Sequence, residues 1–326
     1  MERPRRIQKR KAPDLPESVI MLILSLLPLK TLMQFKCVCR SWNSLISSPF
    51  FVTLKYLTTP KHANIILTVK GEDHDTLDRA IPYSVPFLLN FPPSPVSEYS
   101  SVDIMDYHEV VGTCRGLVCI AGPLVITEDE IWVNFWNPAT RIVSERSPRL
   151  HRGANMTMDF GFGYDYKTEA YKVVALIANW HAEDDPKNAR IKVFTMGDSC
   201  WRDMGIFPAL PIAGTPTHKN DGIYIMGTLN WLALRNFGDD NAWDVVAFVD
   251  QLVIGSLDLG KETYKQIGVP DGLDELSEHM PVLGVLRNCL YLCHDYKTSH
   301  FVFWQMNLEM LHPGLNCSML HISIFN

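Results

Sequence analysis

Phe160-Gly161-Phe162-Gly163-Tyr164-Asp165-Tyr166-Lys167-Thr168, followed closely by Tyr171-Lys172-Val173-Val174-Ala175-Leu176, reads as two β-strands joined by a tight polar turn. The same figure recurs along the chain. Ile191 to Thr195 leads through Gly197-Asp198-Ser199 to Trp201. Ile254 to Leu257 leads through Asp258-Leu259-Gly260-Lys261 to Tyr264, and Leu290 to Cys293 leads through Asp295-Tyr296-Lys297-Thr298 to Phe301-Val302-Phe303-Trp304. Asp165, Thr195, Asp258 and Asp295 each precede an aromatic residue on the returning strand by six positions. Ile131 to Trp136 with the turn Asn137-Pro138-Ala139-Thr140, and Ile223 to Ile225 turning at Met226-Gly227 into Leu229 to Leu232, complete a hairpin series that recurs at roughly 30-residue intervals. Two such hairpins make a four-stranded sheet, the unit of a propeller blade. Trp136, Trp201, Trp231, Trp304, Tyr171 and Tyr264 lie in or beside these strands and are expected to fill the space between blades.

The pattern loosens outward from this series. Between Tyr56 and Val110, Pro82, Pro86, Pro92, Pro93 and Pro95 interrupt it, with Ile65 to Val69 as a strand. After Asn307 the run from Leu308 to Asn326 shows no turn or strand signal, so the last blade reads as truncated or replaced and ring closure as open.

The first folded segment is different in kind. Val19, Ile20, Ile23, Leu24 and Leu27 recur at helical spacing after Pro16, and Pro28 ends that helix. Asp14 is a candidate cap. A second helix fits Lys30 to Phe35 and a third Cys37 to Ile46, stopped by Ser47-Ser48-Pro49. About 35 residues in three short helices cannot hide this much apolar surface alone. Part of it therefore needs a partner.

The chain of 326 residues is 47% hydrophobic and 20% charged, with net charge −6, an ordinary globular composition that argues against nucleic-acid binding. The eight cysteines are scattered without paired C-x-x-C spacing, so no structural zinc site and an intracellular, reduced setting are expected. Cys289, Cys293 and His294 come nearest to a ligand cluster but lie in a strand pattern, where buried thiols are the expectation. Arg3, Arg5, Arg6, Lys9, Arg10 and Lys11 form a basic tail that fits a nuclear-import signal. The apolar run Val19 to Leu29 is too short to span a bilayer, and Pro13 to Glu17 separate it from the basic tail, unlike a signal peptide. Gly-rich phosphate loops, G-x-S-x-G and H-E-x-x-H motifs are absent, and Asp184-Asp185 and Asp239-Asp240 read as solvated loop charge. No cofactor or catalytic residue is expected.

Two resemblances emerge from these residues. Leu15-Pro16, then Ile20, Leu24 and Leu27-Pro28, then Val38-Cys39-Arg40-Ser41-Trp42 and Phe50-Phe51 resemble an F-box in order and spacing. Cys114-Arg115-Gly116-Leu117-Val118, Trp136 to Arg141, Phe160 to Asp165 with Tyr171 to Val174, Gly227 to Trp231 and Ser256 to Leu259 resemble the F-box-associated domain of plant F-box proteins with kelch-like interaction domains. The resemblance implies an α+β multidomain chain with a three-helix F-box followed by an all-β propeller-like domain, incomplete at the C-terminus. The expected boundaries are a basic tail at 1–13, the F-box at 14–52, a connecting segment with first strands at 53–111, the propeller-like domain at 112–307 and a divergent C-terminus at 308–326. It further implies that Leu15, Pro16, Ile20, Leu24, Leu27, Pro28, Leu32 and Val38 face a Skp-type adaptor. Phe35, Trp42, Leu45 and Ile46 would hold the unit together or fasten it to the β domain. Through the adaptor the chain would reach a cullin scaffold. Its β domain would bind an unidentified target protein through loops near Trp180–Arg190, Gly205–Asp221, Asn236–Asp250 and Asp271–Pro281. Such a chain is a non-catalytic substrate receptor, cytoplasmic, nuclear or both, with neither membrane nor nucleic acid among its partners. The competing readings are a target-defective paralogue that binds only the adaptor, and a kelch-fold enzyme.

Overall fold

The structure is a computed structural model that describes residues 15–58, 64–69, 78–84, 102–104, 108–124, 128–153, 156–178, 189–212, 220–235, 249–270, 273, 280–286, 289–296, 300–306 and 320–325. Asp14, the basic tail and the paired Asp184-Asp185 and Asp239-Asp240 lie outside these residues. The chain divides into a first unit of residues 1–65 and 83–95 and a second of 66–82 and 96–326.

The first unit carries four helices: α1 (Glu17–Ser25), α2 (Leu29–Phe35), α3 (Arg40–Ser47) and α4 (Pro49–Thr58). The fourth goes beyond the sequence reading, which used Pro49 only as a stop. Proline ends one helix but is suited to the first position of the next, where its missing N–H costs nothing. Ser48 caps that start, its Oγ accepting the Phe51 amide at 3.2 Å. Leu24, Leu32, Leu45, Ile46 and Phe51 form a small core, with Phe35 and Trp42 packed against it, their ring centroids 5.3 Å apart. The last carbonyls of α1 have no partner within the helix. Lys55 from α4 supplies one, its Nζ donating to Ser25 O at 3.0 Å and Leu27 O at 2.7 Å, and the Thr58 hydroxyl adds a bond to Ser25 O at 3.1 Å. A cation at a helix C-terminus also suits the helix dipole.

The second unit is antiparallel β-structure. A three-stranded sheet joins β1 (Asn64–Val69), β2 (Asp78–Ser84) and β3 (Val102–Ile104). Four larger sheets follow in chain order. The first runs β4 (Glu109–Cys114), β5 (Leu117–Gly122), β6 (Glu130–Asn137) and β7 (Ile142–Val143), with β8 (Leu150–His151) also on β6. The second runs β9 (Thr157–Asp165), β10 (Ala170–Ala178), β11 (Ala189–Thr195) and β12 (Arg202–Phe207). In the third, β13 (Leu210–Pro211) and β14 (Ile223–Ile225) share one edge of β15 (Thr228–Leu234), which continues to β16 (Leu252–Asp258) and β17 (Thr263–Gly268). The fourth runs β18 (Val282–Leu286), β19 (Cys289–Tyr296), β20 (His300–Met306) and β21 (Leu320–Phe325). Apolar cores lie between successive sheets, giving a four-blade, propeller-like domain.

β21 corrects the expectation of a C-terminus without strands. It pairs with β20 from Gln305–Leu320 to His300–Phe325 and completes a four-stranded sheet. Its sequence, Leu320-His321-Ile322-Ser323-Ile324-Phe325, alternates apolar and polar residues over most of its length, a period-two signal masked by the featureless run before it.

The six-residue spacing has a physical basis in the hairpin turns. Asn137, Asp165 and Asp258 each fold their side chain onto the turn that follows. Asn137 Oδ1 accepts the amides of Ala139 at 3.0 Å and Thr140 at 3.3 Å. Asp165 accepts the Lys167 amide at 2.8 Å and the Thr168 hydroxyl at 2.6 Å. Asp258 accepts the amides of Gly260 at 3.0 Å and Lys261 at 2.9 Å. The fifth residue of each turn, Arg141, Glu169 or Glu262, has φ of 60°, 54° or 55°. Asx side chains stabilise this turn and fix the register of the returning strand.

The glycines of Phe160-Gly161-Phe162-Gly163 permit close packing between sheets. A Cβ on Gly161 would lie 2.7 Å from the Trp231 ring, and one on Gly222 2.4 Å from it. A parallel bridge joins these two glycines across the sheet boundary. Trp136, Trp231 and Trp304 are buried in the cores between sheets. Trp201 is half-buried and donates its indole N–H to Pro148 O at 2.8 Å. Tyr264 meets the expected role only in part: it is 43% exposed, but its ring packs edge-on against Phe207 of the preceding sheet at a centroid distance of 6.0 Å.

Candidate functional site

Helix α1 is apolar on two faces. Leu24 is 2% exposed and sits in the core of the first unit, with Ile20 and Leu27 packed against it. Val19, Leu22, Ile23 and Leu26 form a second row at i, i+3, i+4 and i+7, and all four are exposed, Ile23 at 49% and Leu26 at 68%. Four large aliphatic side chains in one exposed row form a patch of the kind that marks a protein interface. Leu15, Val38, Phe50 and Val52 are also exposed on this unit.

The eight residues expected to face an adaptor therefore occupy two environments. Leu15, Pro16, Pro28 and Val38 are at the surface. Ile20 and Leu27 are half-buried, and Leu24 and Leu32 are buried inside the unit. Leu22 and Leu26 were not singled out by sequence reasoning. Their signal was present, because positions 19, 22, 23 and 26 are as good a helical row as 20, 24 and 27.

In the second unit a cavity of about 380 Å³ opens where β4, β9, β14 and β18, one strand from each larger sheet, converge with Ile66 of β1. Its wall is mostly aliphatic and aromatic, with Thr113, Asp221 and Tyr224 as polar side chains. Asp221 Oδ1 accepts the Phe160 amide at 3.3 Å. Tyr224 donates its hydroxyl to Tyr164 O at 2.8 Å, and burial is the main cause that pushes its phenol pKa up, so it stays neutral. The Asp159 carboxyl is 8% exposed. Burial, then the nearby Asp221 charge, pushes its pKa well above the ordinary carboxylate value.

Beside this cavity, burial pushes the Cys114 thiol up to about 12 and raises Cys119 as well. Both remain thiols at neutral pH, and a thiol is not the nucleophilic form. Cys289 and Cys293 are half-buried, and Cys289 Sγ accepts from Gln305 Nε2 at 3.1 Å. Among the described residues no group of three or more His, Cys, Asp or Glu side chains is arranged to hold a metal ion. No helix among them is long and apolar enough to cross a membrane.

A cluster of ionic groups ties two sheets together. Lys172 Nζ on β10 lies 2.9 Å from Asp165 Oδ2 in its own sheet. It also reaches Leu259 O at 2.9 Å and Glu262 Oε1 at 3.1 Å in the next sheet's turn. Arg202 also pairs with Glu262. The arrangement is a structural clasp, since Lys172 and Asp165 are almost wholly buried.

Residues 13–53 match the F-box domain family, and residues 88–310 match the F-box associated beta propeller domain. The chain belongs to the F-box protein family. It is 30% identical over 313 residues to the F-box/kelch-repeat protein At3g23880 of Arabidopsis thaliana, covering 90% of this chain and 75% of that one. Two further Arabidopsis thaliana sequences named as F-box proteins are each 25% identical, over 81% and 86% of this chain and 52% and 71% of their own lengths. In this F-box protein the exposed α1 row lies within the F-box match, and the cavity strands β4, β9, β14 and β18 lie within the propeller match. The loops expected to bind a target fall mainly outside the described residues, including 179–188, 213–219, 236–248 and 274–279.

Proposed function

We propose that this F-box protein is the substrate-recognition subunit of a Skp-cullin-F-box ubiquitin ligase, its helical unit docking a Skp-type adaptor and its β unit holding a target protein. The observation that carries the docking half is the exposed row Val19, Leu22, Ile23 and Leu26 on a helix whose other face already supplies the unit's own core. The chain itself performs no chemistry in this reading. It raises the effective concentration of a target lysine near the conjugating enzyme reached through the cullin. The strand β21, which completes the fourth sheet, removes the observation that favoured a target-defective paralogue.

Binding of the full chain to a recombinant Skp-type adaptor tests the proposal. Ile23→Asp with Leu26→Asp places charge in the interface and is expected to weaken binding at least about hundredfold, from the loss of two buried aliphatic side chains. Both residues are exposed in the free chain, so the variant retains its fold. A wild-type chain that ignores the adaptor, or a double variant that binds like wild type, refutes this docking face. The same reading places the protein in the cytoplasm, the nucleus or both, with Arg3 to Lys11 as the import signal. Fluorescent fusions with and without residues 1–13 test that part: equal nuclear accumulation removes the import role.

A further inference from the structure

We propose that the cavity at the convergence of the four larger sheets is a binding site for a neutral ligand with an apolar ring body and one hydroxyl, seated with that hydroxyl at Thr113. The inference rests on the β unit alone and is independent of adaptor docking.

Wall chemistry decides the ligand's body. Ile66, Val110, Val111, Ile223, Val285 and Phe162 face the cavity. Ile66 and Val110 pack on one side against the core of the three-stranded and first larger sheets, and Ile223 against that of the third and fourth. All three are half-buried, so each keeps an accessible side, and Val285 is 44% exposed. The two ionisable side chains of the described wall each have a partner without a ligand. Asp221 Oδ1 accepts the Phe160 amide at 3.3 Å, and Tyr224 donates its hydroxyl to Tyr164 O at 2.8 Å. A charged ligand would lose its hydration against the aliphatic wall, whereas a neutral ring loses little.

Volume and rigidity favour binding. A cavity of about 380 Å³ holds about a dozen waters and falls at the lower end of the range for small-molecule pockets. Water against an aliphatic wall lacks the polar partners that order it, so an apolar ring that displaces it gains affinity. The wall is built before a ligand arrives. Phe162 is 1% exposed, and the Phe135 and Tyr171 rings hold it at centroid distances of 5.4 and 5.7 Å. Little ordering of the protein then opposes binding.

Thr113 sets the ligand's orientation. Of the three polar wall residues it alone is exposed, which puts its hydroxyl at the mouth of the cavity. A hydroxyl both donates and accepts, so it can hold a ligand hydroxyl there while the ring lies inward.

Isothermal titration of the intact chain tests this with four probes of one shape: 2-naphthol, naphthalene, the anion 2-naphthoate and the cation 2-naphthylmethylammonium. Micromolar binding of 2-naphthol is expected, within the efficiency bounds for a ligand of about eleven non-hydrogen atoms, with both ions at least tenfold weaker. Thr113→Val keeps the side chain's shape and removes its hydroxyl. It is expected to weaken 2-naphthol about three- to tenfold, the range of one neutral hydrogen bond, and to leave naphthalene unchanged. Val285→Trp, made at an exposed residue that tolerates a larger side chain, is expected to obstruct the cavity and weaken both neutral probes at least tenfold. Thermal melts show whether each variant keeps its fold, and the wild-type comparison of neutral and charged probes stands whatever the variants do. Failure of 2-naphthol to bind wild type, an ion that binds as tightly as 2-naphthol, equal loss of naphthalene and 2-naphthol in Thr113→Val, or unchanged affinity in a Val285→Trp chain that melts like wild type overturns the proposal.

Discussion

Replacing Lys172 with methionine keeps most of the side chain's volume and removes its charge from the most buried ionic cluster among the described residues. Three contacts vanish: Asp165 Oδ2 at 2.9 Å, Leu259 O at 2.9 Å and Glu262 Oε1 at 3.1 Å. The consequences for the partners differ. Glu262 is one-third exposed and keeps Arg202, so water and that guanidinium still satisfy it. Asp165 is 1% exposed and keeps only the Lys167 amide and the Thr168 hydroxyl. Removing one member of a buried pair leaves an uncompensated charge and costs about 3–5 kcal/mol. At about 2–4 °C per kcal/mol for a domain of this size, the melting temperature falls by about 6–20 °C. Adding Asp165→Asn to Lys172→Met removes the stranded charge while its amide oxygen still caps the turn, and is expected to recover part of the loss.

Guanidinium denaturation followed by fluorescence of buried Trp136 and Trp231 measures this, read as a change in midpoint at constant slope. The pH dependence adds a second signature. Burial works to raise the Asp165 pKa, but hydrogen bonds from Lys172, Thr168 and the Lys167 amide outweigh it and hold the carboxyl below its ordinary value. A lowered folded pKa contributes stability that is complete above the unfolded value of about 3.9 and fades as pH falls through the folded one. The gap between wild type and Lys172→Met is therefore expected to close below about pH 3.9. A loss under about 1 kcal/mol, the figure for an exposed pair, or a gap that persists at acid pH, refutes the clasp.

Gly161→Ala places a Cβ 2.7 Å from the Trp231 ring, and overpacking of this kind costs about 1–3 kcal/mol in the same denaturation assay. Lys55→Met removes the cation from the last carbonyls of α1 and is expected to cost about 1–2 kcal/mol locally, seen as faster amide exchange in residues 17–27 with the β unit unchanged. Asp159→Asn has no carboxyl to ionise. The raised folded pKa of Asp159 favours the native state only below the ordinary carboxylate value and loses that advantage as pH rises. The variant is therefore expected to match wild type near pH 3 and to exceed it in denaturation midpoint at pH 7 and above.

Local chemistry was enough to read much of this protein from its sequence. The hairpins were legible because Asn137, Asp165 and Asp258 build their turns from their own side chains, with partners two or three residues away. The helices were legible from apolar spacing and from Pro16 and Pro28, since proline acts on its immediate neighbours. The fourth helix and β21 were missed for opposite reasons. Pro49 carries both a stop and a start signal, and β21 is defined by pairing to β20 across a long stretch of chain.

What tertiary structure alone decided was direction. Two apolar rows on α1 are equivalent in the sequence, and only packing with Leu32, Leu45, Ile46 and Phe51 turns Leu24 inward and leaves Ile23 and Leu26 exposed. Likewise Lys172 meets Glu262 ninety residues away, and Asp159 acts on Asp221 only because β9 and β14 meet at the Gly161–Gly222 bridge. Turns and periodicity depend on neighbours in the chain. Faces, cavities and charge pairs depend on which distant strands come together, and spacing along a single sequence does not encode that choice.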